Sequence, residues 1–183
     1  MQEIQVVLVF ETSRLKRTDD AYYQWMLKTH FHKEMSRQGN CGLRILFNYV
    51  YMDGKTNYKK RSLLSDIKGY QRGYSGKTYV VYCFDIDTKT NDDKKFLAEV
   101  KSFCKANNYR VSFAYPEIEV CFGYGADKGD KVCRARLFAQ NYPKKESVKK
   151  ANIFVPLDLE PSSFGSGQTN FCSIIQSIID ENR

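Results

Sequence analysis

The stretch Tyr79-Val80-Val81-Tyr82-Cys83-Phe84-Asp85-Ile86-Asp87 decides the fold. Its unbroken apolar and aromatic run is typical of a strand that is covered on both faces in a parallel sheet. Because side chains alternate along a strand, we expect Asp85 and Asp87 to point to the same side. Two parallel carboxylates repel each other, and a bound Mg²⁺ would relieve that repulsion. The alternative is that both carboxylates face water and cap the helix that follows.

Strand-like and helical segments alternate along the first 115 residues of the chain. The predicted strands are 5–10, 43–51, 79–87 and 109–115, and the predicted helices are 21–35, 55–71 and a third that opens at 90–93. Thr18, Asp19 and Asp20 are suited to capping the first helix, because their side-chain oxygens accept hydrogen bonds from free backbone N–H groups. This order predicts an α/β fold, with a Rossmann-like, mostly parallel, four-stranded sheet and helices on both faces.

The remainder of the chain is predicted to extend this core. Residues 117–122 form either a short helix or a strand, and 123–131 is a loop rich in Gly and Asp. A terminal amphipathic helix is predicted over 171–181. We therefore divide the chain into a core, 1–122, and an irregular extension, 123–183, that packs on the same domain.

Composition indicates one folded domain: the chain has 183 residues, 42% hydrophobic and 14% aromatic. It has no apolar run near the roughly 20 residues that cross a membrane. It also lacks the basic start of a signal peptide, so we expect a soluble, cytoplasmic protein. The six scattered cysteines are then expected to be reduced. A net charge of +8 favours a polyanionic partner such as nucleic acid, or a basic protein with no such partner.

Acidic residues follow three of the predicted strands. Glu11 closes the first strand, Asp85 and Asp87 close the third, and Glu117 and Glu119 follow the fourth. The carboxyl ends of parallel strands share one edge, and ligands bind in the crevice outside it. We therefore predict a divalent-metal site at this edge. The alternative is chance, since the loops that follow strands are polar anyway.

This arrangement resembles a known family. An apolar strand ending in Glu11, a βα unit, and an apolar strand ending in Asp85-Ile86-Asp87 are similar to the Toprim domain of topoisomerases, primases and OLD nucleases. The resemblance covers residues 4–121. It is greatest to the small RloB-like and OLD-like proteins of bacterial defence and mobile elements, through Glu11, 16–23 and 114–119. The family usually has Gly after the first Glu, where this chain has Thr12, so we expect a different turn there.

The resemblance implies a nuclease that hydrolyses phosphodiesters with Mg²⁺ or Mn²⁺. Glu11, Asp85 and Asp87 would be catalytic and metal-binding residues, and Glu117 or Glu119 would hold a second metal ion. It also implies that the substrate is nucleic acid, with DNA favoured over RNA. It further implies a role in phage defence together with a separate ATPase as partner protein. The sequence does not decide the oligomeric state, and a homo-oligomer remains open.

Basic residues supply candidate contacts to phosphates. The candidates are Arg14, Lys16, Arg17, Lys59, Lys60, Arg61, Lys144 and Lys145. The alternative for each is a solvated surface position. Two other functions stay open: a catalytically inactive Toprim-like module that binds nucleic acid or a partner protein, and a flavodoxin-like domain with solvated carboxylates.

Overall fold

The computed structural model describes residues 2–16, 18–36, 42–124, 130–141 and 143–183. Its strands are β1 (Gln2–Phe10), β2 (Leu43–Tyr51), β3 (Lys77–Asp85), β4 (Arg110–Tyr115) and β5 (Gln168–Thr169). Its helices are α1 (Asp20–His30), α2 (His32–Met35), α3 (Arg61–Gly73), α4 (Asn91–Ala106), α5 (Lys131–Gln140), α6 (Lys150–Ile153) and α7 (Phe171–Asp180). Among these described helices, none has the length and apolar character that a membrane span needs.

The sheet has the order β2-β1-β3-β4-β5. The first four strands are parallel, as the alternation of strands and helices predicts, whereas β5 pairs antiparallel with the end of β4. The prediction of four strands is therefore wrong by one. Because β5 has only two residues, it carries no alternation of side chains that a sequence pattern could reveal.

Both faces of the sheet are covered, as expected. Along β1, Val6 and Leu8 belong to one apolar core, and Val7 and Val9 belong to the other. The first core includes residues of α1, α5 and α7, and the second includes residues of α3 and α4. Burial on both sides explains why β1 and β3 are almost continuously apolar.

Two predicted helices are divided in the structure. The segment predicted as 21–35 ends its first helix at His30, and Phe31 separates α1 from α2. The segment predicted as 55–71 begins with a 3₁₀ turn, Lys55–Lys59, and Lys60 is extended before α3 starts. Gly39 and Asn40, whose residue types predict the end of this helical region, lie outside the described residues.

The end of the chain is held against the sheet. The α7 helix matches its prediction closely, and its Ile175 and Ile178 are fully buried in the core shared with β1. Arg110, the first residue of β4, donates to Ser177 Oγ and pairs with Glu181, both at 2.5 Å. The extension therefore contributes to the core that supports the sheet.

Candidate functional site

Two of the predicted carboxylates meet at the carboxyl edge of the central strands. Glu11 directly follows β1, and Asp85 is the last residue of the neighbouring β3. The Asp85 backbone N–H donates to Glu11 Oε1 at 2.9 Å, and the Ile118 N–H donates to Asp85 Oδ1 at 3.1 Å. Each carboxylate is thus oriented through one oxygen. The second oxygen of each accepts no hydrogen bond from the residues that the structure describes.

Two further carboxylates lie deeper at the same edge. Asp19 is 8% exposed and Glu119 only 2%. The Thr18 hydroxyl donates to Asp19 Oδ1 at 3.1 Å, whereas neither side-chain oxygen of Glu119 accepts a hydrogen bond within the described ranges. Asp85 feels the negative charge of Glu11, Asp19 and Glu119 together. We call these four residues the carboxylate cluster.

Burial makes the charged form of the cluster costly. Desolvation, and then the charges of Asp19 and Asp87, raise the pKa of Glu11 to about 8, although the hydrogen bond from the Asp85 N–H acts in the opposite direction. Desolvation and the charge of Glu119 likewise raise the pKa of Asp19 to about 7. The pKa of Asp85 is raised well above its usual range, first by burial and then by Asp19 and Glu11. Burial thus favours the protonated form of these carboxyl groups, and a nearby cation would favour the charged form.

The other two predicted carboxylates lie at the rim, each beside a lysine. Asp87 lies beyond the end of β3, is exposed, and pairs with Lys55. Lys131 pairs with Glu117 at 2.7 Å, and its ammonium nitrogen is 3.9 Å from Glu119 Oε1. β3 ends at Asp85, so Asp87 lies just beyond the strand that was expected to carry both carboxylates, and its charge acts on Glu11.

Asp19, Lys55 and Lys131 were not predicted as site residues. Asp19 was assigned to helix capping, and it does occupy the N-cap of α1, but its side chain makes no capping hydrogen bond. It is buried toward Glu119 and Asp85 instead. In the sequence, the one sign that Asp19 belongs to the site is its position, eight residues after Glu11 and directly before an apolar helix. Lys131 lies at the start of α5, a helix that was not predicted at all.

The turn after Glu11 needs no glycine. Among the described residues other than Gly, positive φ angles occur at Asp53 and Asn108, so Thr12 has an ordinary backbone conformation. The Gly54 N–H donates to the Glu11 carbonyl at 2.8 Å, and the Asp53 N–H donates to the Thr12 carbonyl at 3.3 Å. The residues with positive φ nearest to Glu11 are thus Asp53 and Gly54, in the turn after β2, which holds the Glu11 and Thr12 carbonyls.

The predicted phosphate contacts are spread over the surface. Arg14 and Lys16 are exposed in the turn between β1 and α1, close to Glu11 in the chain. Lys59, Lys60 and Arg61 are exposed beyond the outer strand β2, and Lys144 is exposed beside Pro143. Arg17 and the side chain of Lys145 lie outside the described residues. Among these described candidates, Arg14 and Lys16 are the nearest in the chain to Glu11.

The donor chemistry of the cluster suits a hard divalent ion. All four side chains offer oxygens, and Mg²⁺ usually takes one or two carboxylates while water and phosphate complete its shell. Within the described ranges, no three His, Cys, Asp or Glu side chains form a ready-made ligand group. The buried Glu119 oxygens without a donor and the free second oxygens of Glu11 and Asp85 fit an ion held partly through water.

Comparison with known proteins gave no match: no family model, no curated protein and no solved structure is similar to this chain. The geometry and charge of the carboxylate cluster are therefore the features that indicate a function.

Proposed function

We propose that this protein hydrolyses nucleic-acid phosphodiesters with Mg²⁺ or Mn²⁺, in the manner of a Toprim nuclease. The observation that carries the proposal is the carboxylate cluster at the carboxyl edge of the parallel sheet. There the charges of Glu11, Asp19 and Glu119 all act on Asp85, inside a chain whose net charge is +8. Structural stability does not require such a cluster, because unpaired buried charges destabilise a fold.

The lysines at the rim do not neutralise the cluster by themselves. Lys55 and Lys131 each form their shortest ion pair with an outer carboxylate, Asp87 and Glu117. Both lysines attract residues of the carboxylate cluster only at longer range. Lys55 acts on Glu11, and Lys131 acts on Asp19 and Asp85. A divalent ion would supply the missing positive charge.

Glu11 and Asp85 are the side chains that would hold the metal, through the oxygens that their backbone donors leave free. When bound, the ion would polarise the phosphodiester and lower the pKa of the attacking water. Glu119 can accept a hydrogen bond from water and orient it, because neither of its oxygens has a donor among the described residues. Lys55 and Lys131 can each donate to a phosphate oxygen at the rim.

The Toprim resemblance adds further proposals. The resemblance implies Asp87 as a further ligand of the first metal ion, but its exposure and its ion pair with Lys55 favour a supporting role at the rim. Glu117 or Glu119 could support a second ion, as two-metal nucleases require. DNA is the preferred substrate over RNA, a separate ATPase is the proposed partner, and phage defence is the proposed setting. These proposals rest on the residues that carry the resemblance.

Cleavage of plasmid DNA and of structured RNA tests the function. Wild type should cut at least one of them in Mg²⁺ or Mn²⁺, and cutting should stop in EDTA. The Asp85→Asn variant should be inactive while its circular dichroism spectrum and melting temperature show a folded protein. Asp66→Asn, at an exposed position in α3, is the matched control and should cut like wild type.

The outcomes separate the competing functions. Cutting by Asp85→Asn at the wild-type rate would show a contaminant and overturn the proposal. Nucleic-acid binding without cutting, unaffected by Asp85→Asn, would instead support an inactive binding module. Absence of both activities would favour a flavodoxin-like domain that neither binds nor cleaves nucleic acid.

A further inference from the structure

A groove of about 320 Å³ runs between the β1–α1 turn and α5. Ala21, Ala135 and Ala139 are among its lining residues, and these small side chains leave room between the two elements. Leu15 and Lys16 line it on the turn, and Arg136 lines it on α5. The sequence patterns did not predict this groove, because α5 was assigned to an irregular extension.

The groove and the surroundings of the carboxylate cluster share two elements of the fold. Lys131, at the first turn of α5, pairs with Glu117 beside the cluster, and Arg136 is five residues further along the same helix. That separation is about 7.5 Å along the helix axis. On the opposite side, Asp20 lines the groove and its neighbour Asp19 belongs to the cluster. One ligand could therefore occupy the groove and reach the cluster.

The rim of the groove carries basic side chains that a ligand could contact. Lys16 and Arg136 are exposed, and neither side chain forms a hydrogen bond or ion pair with the described residues. The acidic Asp20 is buried, and its Oδ2 accepts a hydrogen bond of 2.6 Å from the Tyr51 hydroxyl. The exposed charged side chains that line the groove, Lys16 and Arg136, are thus positive, and the one carboxylate that lines it, Asp20, is buried.

Leu15 adds an apolar surface to the groove beside Lys16. Its side chain is 95% exposed, the largest exposed fraction among the large apolar residues that the structure describes. An apolar residue flanked by cations suits a ligand that combines phosphates with flat, apolar bases. A purely apolar partner would leave Lys16 and Arg136 without anions.

We propose that this groove binds a strand of the nucleic-acid substrate and guides it to the carboxylate cluster. Lys16 and Arg136 contact successive phosphates, and Leu15 packs against a base. This inference rests on the proposed function, since it names the surface that would deliver the substrate to the site. Arg136 is the recognition residue that no sequence pattern indicated.

Binding in EDTA tests the groove without any cleavage. Fluorescence anisotropy would compare wild type with Lys16→Ala/Arg136→Ala on a labelled 20-nucleotide single strand and on the matching duplex. The double variant should bind at least about tenfold more weakly, because it loses two charge-assisted contacts. The slope of log K against log[salt] is negative, and its magnitude should also decrease by about 1.5 to 2.

A matched control carries the same change of charge on the opposite face of the sheet. Lys68→Ala/Lys105→Ala removes two exposed lysines from α3 and α4, which cover the other apolar core. This control should bind within about twofold of wild type, with a nearly unchanged salt slope. Melting temperatures of both variants should match wild type, since all four side chains are exposed.

The results distinguish failure of the groove from failure of the enzyme. If the groove variant and the control lose affinity equally, or if wild type binds neither probe, the groove proposal is overturned. If the groove variant alone loses affinity while wild type never cuts, the groove stands and the nuclease fails. If wild type cuts but the two variants bind alike, the nuclease stands and the groove fails.

Discussion

Asp19→Asn is expected to lower metal-dependent cleavage by about 100-fold or more, with the fold retained. Asp19 is buried, and its charge acts directly on Glu11 and Asp85, the two proposed metal ligands. Even residues that only support metal ligands change affinity or activity by about 10- to 100-fold when replaced. Initial rates at saturating Mg²⁺, and again over a Mg²⁺ titration, would measure the loss.

Asp87→Asn is the informative comparison, because the sequence alone predicts Asp87, and not Asp19, as a metal ligand. Asp87 is exposed and pairs with Lys55, so we expect a loss of only about tenfold or less. A loss at Asp87→Asn that exceeds the loss at Asp19→Asn would contradict this order. It would return the metal site to the Asp85–Asp87 pair predicted from alternation along a strand.

The metal-free protein should become less stable as the pH rises from about 5 to 7. Glu11 and Asp19 have ordinary pKa values of 4.5 and 3.8 when unfolded, and about 8 and 7 in the folded protein. Between these limits the folded state binds more protons than the unfolded state, so the stability present at low pH is lost as pH increases. Each such carboxyl contributes a slope of about 1.4 kcal/mol per pH unit.

Urea unfolding in EDTA at several pH values would measure that slope. Asp19→Asn should reduce it, because one of the two groups no longer titrates. Addition of Mg²⁺ at pH 7 should restore stability by binding only the folded state. Stability that stays constant or increases from pH 5 to 7 in EDTA would contradict the assignment of a buried, uncompensated cluster.

Much of the fold could be predicted because its signals are local. The apolar runs of β1 and β3 are long and uninterrupted, and β2 matches the predicted 43–51 at both ends. The helix predicted to open at 90–93 does begin there, as α4, and Thr90 and Asp93 exchange hydrogen bonds in a capping box at its start. By contrast, β5 exists only because Ala114 and Tyr115 are available to pair with Gln168 and Thr169. No property of those two residues alone indicates a strand.

The candidate site could be predicted only in part, for a related reason. Strand ends fix the position of Glu11 and Asp85, so the topology of the sheet brings them together. Asp19, Lys55 and Lys131 reach the site from a helix cap, a 3₁₀ turn and the unpredicted α5. In the sequence, an aspartate directly before a helix is explained by capping of that helix alone. Only the packing of α1 against the sheet reveals that Asp19 is turned toward other carboxylates.

The most direct test of the central claim is Mn²⁺ binding, measured by electron paramagnetic resonance. Free Mn²⁺ gives a six-line signal that is lost on binding, so titration reports the bound fraction without any substrate. The account predicts that wild type at pH 7.5 binds Mn²⁺, and that Asp85→Asn binds it at least about tenfold more weakly. Asp66→Asn should bind like wild type. Equal binding by wild type and Asp85→Asn, or Mn²⁺ that stays free with both, would contradict a metal site at the carboxylate cluster.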